Sequence, residues 1–350
     1  MGLSFFVSFL ITLVVTPFSL ILIKKWGLFD DPKTHRHPAI LHNKPIPRGG
    51  GLPLFLGTFF AGLFFLPHTQ IFFWIFIAAA LALIVGLLDD KFDISPYIRF
   101  SANIVCAILV VKSGISVPFI TNPTGGILRL DSLFIHLGSF TFYFSDLIAV
   151  IWIVWVMNML NWSKGVDGQM PGIVTISAIT IGFLSLRFSS LDQNSTFAAQ
   201  LSFIIAGASF AFLFFNFYPA KIFPGYGATA LYLMLAIVSI MSGAKLATAI
   251  MVMGVPMVDG LVTILRRLAS GHSPFWHDRL HLHHLLLQFG LSQRRIALFY
   301  WIVSAILGLI SLTLTSRGKL FAIIMILIIV GGAILSLHLA LRVKNEKNSI

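Results

Sequence analysis

The chain has 350 residues, of which 57% are hydrophobic and only 10% charged, and its mean hydropathy is +0.94. Soluble domains carry about 25% charged residues, so this composition excludes an ordinary soluble fold and requires lipid as solvent. The formal charge of +12 arises from 24 Lys and Arg against 12 Asp and Glu; because the basic residues lie between apolar runs, they read as a topology signal, with no nucleic acid as partner.

Apolar runs long enough to cross about 30 Å of hydrocarbon as helices recur from end to end. Continuous Leu, Ile and Phe runs lack the alternation of a transmembrane barrel. Spans are expected near residues 3–23, 49–66, 71–88, 98–118, 146–160, 170–186, 197–215, 228–242, 246–265, 296–314 and 320–340. The fold class is therefore all-α: a polytopic bundle of about eleven helices forming a single integral membrane domain over 1–350. The first span is followed by Lys24 and Lys25, the reverse of a cleavable signal, and is expected to be retained with its N-terminus outside. With that orientation 18 of the 24 Lys and Arg residues fall on the cytoplasmic side, together with the C-terminus. Loops 24–48, 89–97, 161–169, 216–227 and 266–295 share that side and hold eight of the eleven histidines, His35, His37 and His277 among them. Cys106, the single cysteine, lies in an apolar run and reads as a packing residue.

In chain order, the first of these loops ends NKPIPRGGGL, where Lys44 and Arg48 precede three glycines whose backbone would cradle a phosphate; a basic juxtamembrane loop facing anionic lipid is the plainer alternative. The third span ends GLLDDKFDIS, with Asp89 and Asp90 adjacent. Such carboxylates suit Mg²⁺ or a base acting on phosphate, unless they only pair with Lys91 and Arg99. The fifth span runs into MNMLNWSKGVDGQMPG, where Asn158 and Asn161 share a helix face before a glycine-punctuated break. After the seventh span, FNFYPAKIFPGYGAT crowds Asn216, Lys221, Phe223 and Tyr226 into one loop, offering a point charge to phosphate and a stacking face to a base. Asp259 stands inside the apolar ninth span, a functional position or a hydrogen bond to a neighbouring helix. In SPFWHDRLHLHHLLLQFG a helix would put His277, His281 and His284 on one face, with His283 and Arg279 beside them. No cysteine and no nearby Glu accompanies them, so they fit a phosphorylated ligand better than zinc.

Together, DDPKTHRHPAILHNKPIPRGGGL, GLLDDKFDIS, NMLNWSKGVDG, FNFYPAKIFPGYGA and SPFWHDRLHLHH resemble, in order, the polyprenyl-phosphate N-acetylhexosamine-1-phosphate transferases, closest to the undecaprenyl-phosphate GlcNAc-1-phosphate branch. The resemblance implies a multi-pass enzyme of the bacterial inner membrane that transfers a sugar 1-phosphate from a UDP-sugar to polyprenyl phosphate, releasing UMP. A homodimer is compatible with it. It implies Asp89, Asp90 and Asp167 as catalytic residues and as ligands of a Mg²⁺ cofactor. Lys44, Arg48, Asn158, Asn161, Lys164, Asn216, Lys221, Phe223, Tyr226, Arg279, His281, His283 and His284 would then bind substrates. Two positions depart from the family pattern: Lys164 replaces the first Asp of Asn-x-x-Asp-Gly-x-Asp-Gly, and Tyr226 replaces the magnesium-binding Asp of Phe-x-Gly-Asp-x-Gly. A phenol of pKa about 10 is a poor magnesium ligand, and a lysine would supply charge of the same sign as the metal. These replacements leave a second reading open, a relative that binds polyprenyl phosphate or nucleotide sugar without turnover.

Overall fold

The structure, a computed structural model, describes residues 1–32, 42, 44–122, 125–138, 140–190, 192–241, 246–276 and 278–348. His35, His37 and His277 lie outside the described residues. The first seven helices are α1 Gly2–Lys25, α2 Gly51–Phe65, α3 Gln70–Phe92, α4 Pro96–Lys112, α5 Phe144–Trp162, α6 Gln169–Leu186 and α7 Gln193–Asn216. After a 3₁₀ turn at Tyr226–Ala228 come α8 Thr229–Met241, α9 Leu246–Val252, α10 Gly254–Ala269, α11 Leu282–Gln288, α12 Gln293–Thr313 and α13 Ser316–Asn348. The chain is an all-α polytopic membrane bundle. Among the described residues seven helices, α1, α3, α5, α6, α7, α12 and α13, are long and apolar enough to cross a membrane, and α9 with α10 makes an eighth if counted as one span.

Helix packing follows from small residues. Ser4, Ser8, Thr12, Thr16 and Ser19 recur every three or four residues and form a buried stripe on α1, the pattern that lets helix backbones approach in lipid. This stripe meets α2 and α7: the Ser8 hydroxyl donates to the Ile204 carbonyl at 2.8 Å, and Gly57 leaves room for the Thr12 hydroxyl. At the centre stands α8, apolar all round, with every one of its 13 residues buried among α2, α3, α5, α6 and α7. At 1.5 Å per residue it is only about 20 Å long, too short for the hydrocarbon layer by itself.

Three expectations differ from the structure. Of the eleven spans expected, those at 49–66, 98–118 and 228–242 correspond to the shorter helices α2, α4 and α8, which fall below the length needed to cross alone. The ninth span, read as continuous over 246–265, is broken by 85° between α9 and α10. Pro256, the third residue of α10, has no N–H to donate to the Val252 carbonyl, and the ladder fails there. The stretch between α4 and α5, read as a loop, carries two antiparallel hairpins: β3 (Phe119–Thr121) with β4 (Ile127–Arg129), and β5 (Phe134–Leu137) with β6 (Phe140–Tyr143). A third pair, β1 (Phe29–Asp30) with β2 (Ile46–Pro47), closes the loop between α1 and α2 and delivers Arg48 to the bundle.

Candidate active site

Asp89 and Asp90 end α3 and are almost fully buried, 1% and 4% exposed. Charges buried so deeply must be paired, and basic residues from two other segments meet them. One nitrogen of Arg99, in the first turn of α4, donates to both oxygens of Asp89 at 3.1 Å. Arg48, beyond β2, reaches Asp90 at 2.8 Å and Asp89 at 3.5 Å. Burial works against the Arg48 charge, but Asp90, Asp89, Asp30 and Asp93 more than offset it and raise its pKa.

Tyr226 completes this centre. Its backbone N–H donates to Asp90 at 2.7 Å, its hydroxyl accepts from Asn103 at 3.0 Å, and its ring lies 5.3 Å from the Arg99 guanidinium and 5.9 Å from the Lys164 ammonium. Lys164, on the α5–α6 loop, donates to the Gly225 carbonyl at 2.9 Å. Burial, then the Arg48 and Arg99 charges, push its ammonium down to about 7 against the pull of Asp90 and Asp89. Close backbone contact makes the convergence possible: Gly51 and Gly86 both abut the backbone of the 3₁₀ turn at Gly227, where a Cβ would collide.

The three glycines of the first loop do other work than expected. Gly49 and Gly50 donate to the Phe223 carbonyl at 3.3 and 2.9 Å, and Gly51 donates to the Pro224 carbonyl at 2.8 Å. With those N–H groups engaged they hold the 223–225 segment against Arg48 and do not form a phosphate cradle. Asn216 is likewise a brace: its amide donates to the Ile222 carbonyl at 2.8 Å and accepts from Gly168 at 3.1 Å, tying two site loops together. Asp167 accepts from the Ala220 N–H at 2.9 Å. Burial raises its pKa, and that hydrogen bond and His42 offset the effect only in part. Phe223 packs 5.2 Å from His42. Asn158 donates to the Val154 carbonyl one turn back at 2.8 Å, whereas the Asn161 amide oxygen is buried with no partner among the described residues.

The histidine block is not one helical face, because α11 begins only at Leu282 and His281 is its N-cap. Asp259 organises it: one oxygen accepts from His281 Nδ1 at 2.9 Å and the other from the Leu282 N–H at 2.8 Å. This fixes the His281 tautomer and leaves Nε2 available. The rings of His281 and His283 are parallel, 5.5 Å apart, and His283 packs onto Gly165, so this block touches the Lys164 loop. Burial and the neighbouring imidazoles push His283 well below its ordinary range; burial, His281 and Arg279 push His284 down to about 4. Both are neutral at pH 7, so each offers one N–H and no charge. Asp278 anchors the loop: although burial opposes it, Arg267, Leu280 and Arg266 hold its carboxyl down at about 2.

Among the sequence-derived residues, Lys44, Lys221 and Arg279 are exposed at the rim. Arg99 and Asn103 belong to the centre although the motifs omit them. Their spacing on α4, four residues apart and so on one face of a mostly apolar helix, is the signal that finds them. Asp259, noted only as an intramembrane carboxylate, is the His281 partner.

The donor set does not fit the expected Mg²⁺. The ion demands near-octahedral oxygen ligation, yet both Asp89 oxygens and Asp90 Oδ1 already accept from Arg99, Arg48 or Tyr226, and of these four oxygens only Asp90 Oδ2 has no partner among the described residues. Asp167 turns one oxygen to the Ala220 N–H.

Fold and site thus define a polytopic membrane protein with a buried ionic centre and an imidazole cluster assembled from distant loops. The chain belongs to the polyprenyl-phosphate N-acetylhexosamine-1-phosphate transferases: residues 72–243 match "Glycosyl transferase family 4". It is 31% identical over 326 residues to the decaprenyl-phosphate N-acetylglucosaminephosphotransferase of Mycobacterium tuberculosis (strain ATCC 25618 / H37Rv), covering 83% of this chain and 78% of the relative. It is 29% identical over 335 residues to the probable undecaprenyl-phosphate N-acetylglucosaminyl 1-phosphate transferase of Bacillus subtilis (strain 168), covering 93% and 88%. Against the undecaprenyl-phosphate alpha-N-acetylglucosaminyl 1-phosphate transferase of Escherichia coli (strain K12) it is 28% identical over 320 residues, covering 86% and 80%.

Proposed function

We propose that this protein transfers an N-acetylhexosamine 1-phosphate from a UDP-sugar to polyprenyl phosphate at the cytoplasmic face of a bacterial inner membrane. An oxygen of the lipid phosphate attacks the β-phosphorus, the bond from that phosphorus to the bridging oxygen breaks, and UMP leaves with the electron pair. The observation that carries this reading is the meeting of Asp89, Asp90, Arg48, Arg99 and Lys164 in one centre. The carboxylate side chains are sealed, while the Arg48 and Arg99 side chains are 21% and 15% exposed. An incoming phosphate therefore meets guanidinium first, and Asp90 Oδ2, the one oxygen of the two carboxylates without a partner among the described residues, is left to accept the proton of the attacking phosphate. Positioning and charge compensation are what phosphoryl transfer needs most.

An apolar cavity of about 340 Å³ between α5, α10 and α13, lined by Trp152, Trp155, Met257, Val258, Leu261 and Ile326, suits a prenyl chain. Trp155, on its wall, contacts Trp162, whose ring lies 6.3 Å from His281, so one wall of the cavity is two ring contacts from the histidine block. The test is UMP release by purified protein given UDP-GlcNAc, other UDP-sugars and undecaprenyl phosphate. Release that Asp90→Asn abolishes supports the reading; no UMP from any donor overturns it. Lys164 and Tyr226 favour one alternative, binding without turnover, which predicts saturable UDP-GlcNAc binding and no UMP.

A further inference from the structure

Three cationic side chains crowd the same centre as two carboxylates, and this imbalance has no need of a metal ion. Arg99 is held on Asp89 and Arg48 bridges Asp89 and Asp90, which accounts for both acidic groups. Lys164 is the surplus charge. Among the described residues it forms no ion pair: its hydrogen bond goes to the neutral Gly225 carbonyl, and an ammonium with three donors keeps two for a ligand. Tyr226 occupies the remaining wall, its ring between Arg99 and Lys164 and its hydroxyl satisfied by Asn103. A divalent cation brought here would meet three like charges and one open carboxylate oxygen, Asp90 Oδ2, which packs against Gly225. A diphosphate would meet the reverse, two guanidiniums and an ammonium.

We propose that the site binds the diphosphate of its nucleotide sugar without a divalent cation, with Lys164, backed by Arg48 and Arg99, as the resident positive charge. This rests on the nucleotide-sugar reading above and adds the source of charge neutralisation. Tyr226 has the complementary role. It fills the wall with a neutral, hydrogen-bonded group where a third carboxylate would draw Lys164 away from the ligand.

The experiment is UDP-GlcNAc binding to the purified full chain by calorimetry, in EDTA and in Mg²⁺, with Mn²⁺ occupancy followed by electron paramagnetic resonance. Expected are equal affinities in the two buffers and a free-ion Mn²⁺ spectrum with and without nucleotide. Lys164→Met should weaken UDP-GlcNAc binding in EDTA by about tenfold or more, the loss of a hydrogen-bonded charge. Lys164→Asp with Tyr226→Asp should reverse the preference and make nucleotide binding depend on the metal. Binding by the wild-type chain that requires Mg²⁺, or bound Mn²⁺, overturns the proposal and leaves the transferase reading standing. Absence of UDP-GlcNAc binding in both buffers rejects the nucleotide-sugar reading and the proposal with it.

Discussion

The ionic centre and the histidine block lie side by side, but their carboxylates do different work. In the centre, Asp89 and Asp90 face guanidiniums that stay charged at every working pH. In the block, Asp259 faces an imidazole and a backbone N–H, and sets a tautomer and a direction more than a charge. Both departures from the family pattern, Lys164 and Tyr226, fall in the centre, and the histidine block retains His281, His283 and His284. Charge balance and side-chain orientation are thus carried by separate groups in this molecule.

Breaking the centre should have the larger effect. Asp90→Asn is expected to lower the rate of UMP release by about 10²–10⁴-fold, the scale of removing a group that acts directly on the reacting phosphate. Size-exclusion profiles should show that the variant remains folded. In the block, Asp259→Ala should lower kcat about 10- to 100-fold, the cost of a buried donor left unpaired, with KM for UDP-GlcNAc less affected; Asp259→Asn, which still accepts from Leu282, should recover part of the loss. If Asp259→Ala instead raises KM and spares kcat, the contrast between charge and orientation fails.

A pH series sharpens the same contrast. Lys164, whose neighbours are Arg48, Arg99, Asp89 and Asp90, loses its proton near pH 7. UDP-GlcNAc affinity should be level below that pH and fall above it, by at most about tenfold per unit, as the charged fraction declines. Lys164→Arg should flatten the profile, and His284, already neutral from about pH 4 upward, should leave no inflection of its own in the range from 6 to 8. The smallest effect belongs to the rim: Arg279→Ala should change unfolding free energy by less than about 0.5 kcal/mol in a denaturant titration.

Much of this arrangement is legible in the chain. Apolar length locates the helices, because burial in lipid demands it of every span, and the five polar blocks name the loops that meet. Pairings are not legible. The GGG run reads as a phosphate cradle until its N–H groups are found donating to Phe223 and Pro224, partners more than 170 positions away. Arg99 and Asn103 stand outside the motifs because one polar residue per turn on a helix says little until Asp89 and Tyr226 are set opposite. Pro256 signals the helix break at Met253, but the surrounding apolar run outweighs it in a reading by hydropathy alone.

The buried α8 bears on how the protein is made. Translation delivers residues 229–241 after seven helices have already been synthesised, yet α8 occupies the middle and has no side left for lipid. A nascent chain halted before Thr229 would lack the helix on which α3, α5 and α7 all pack, so the order of synthesis and the order of packing cannot be the same.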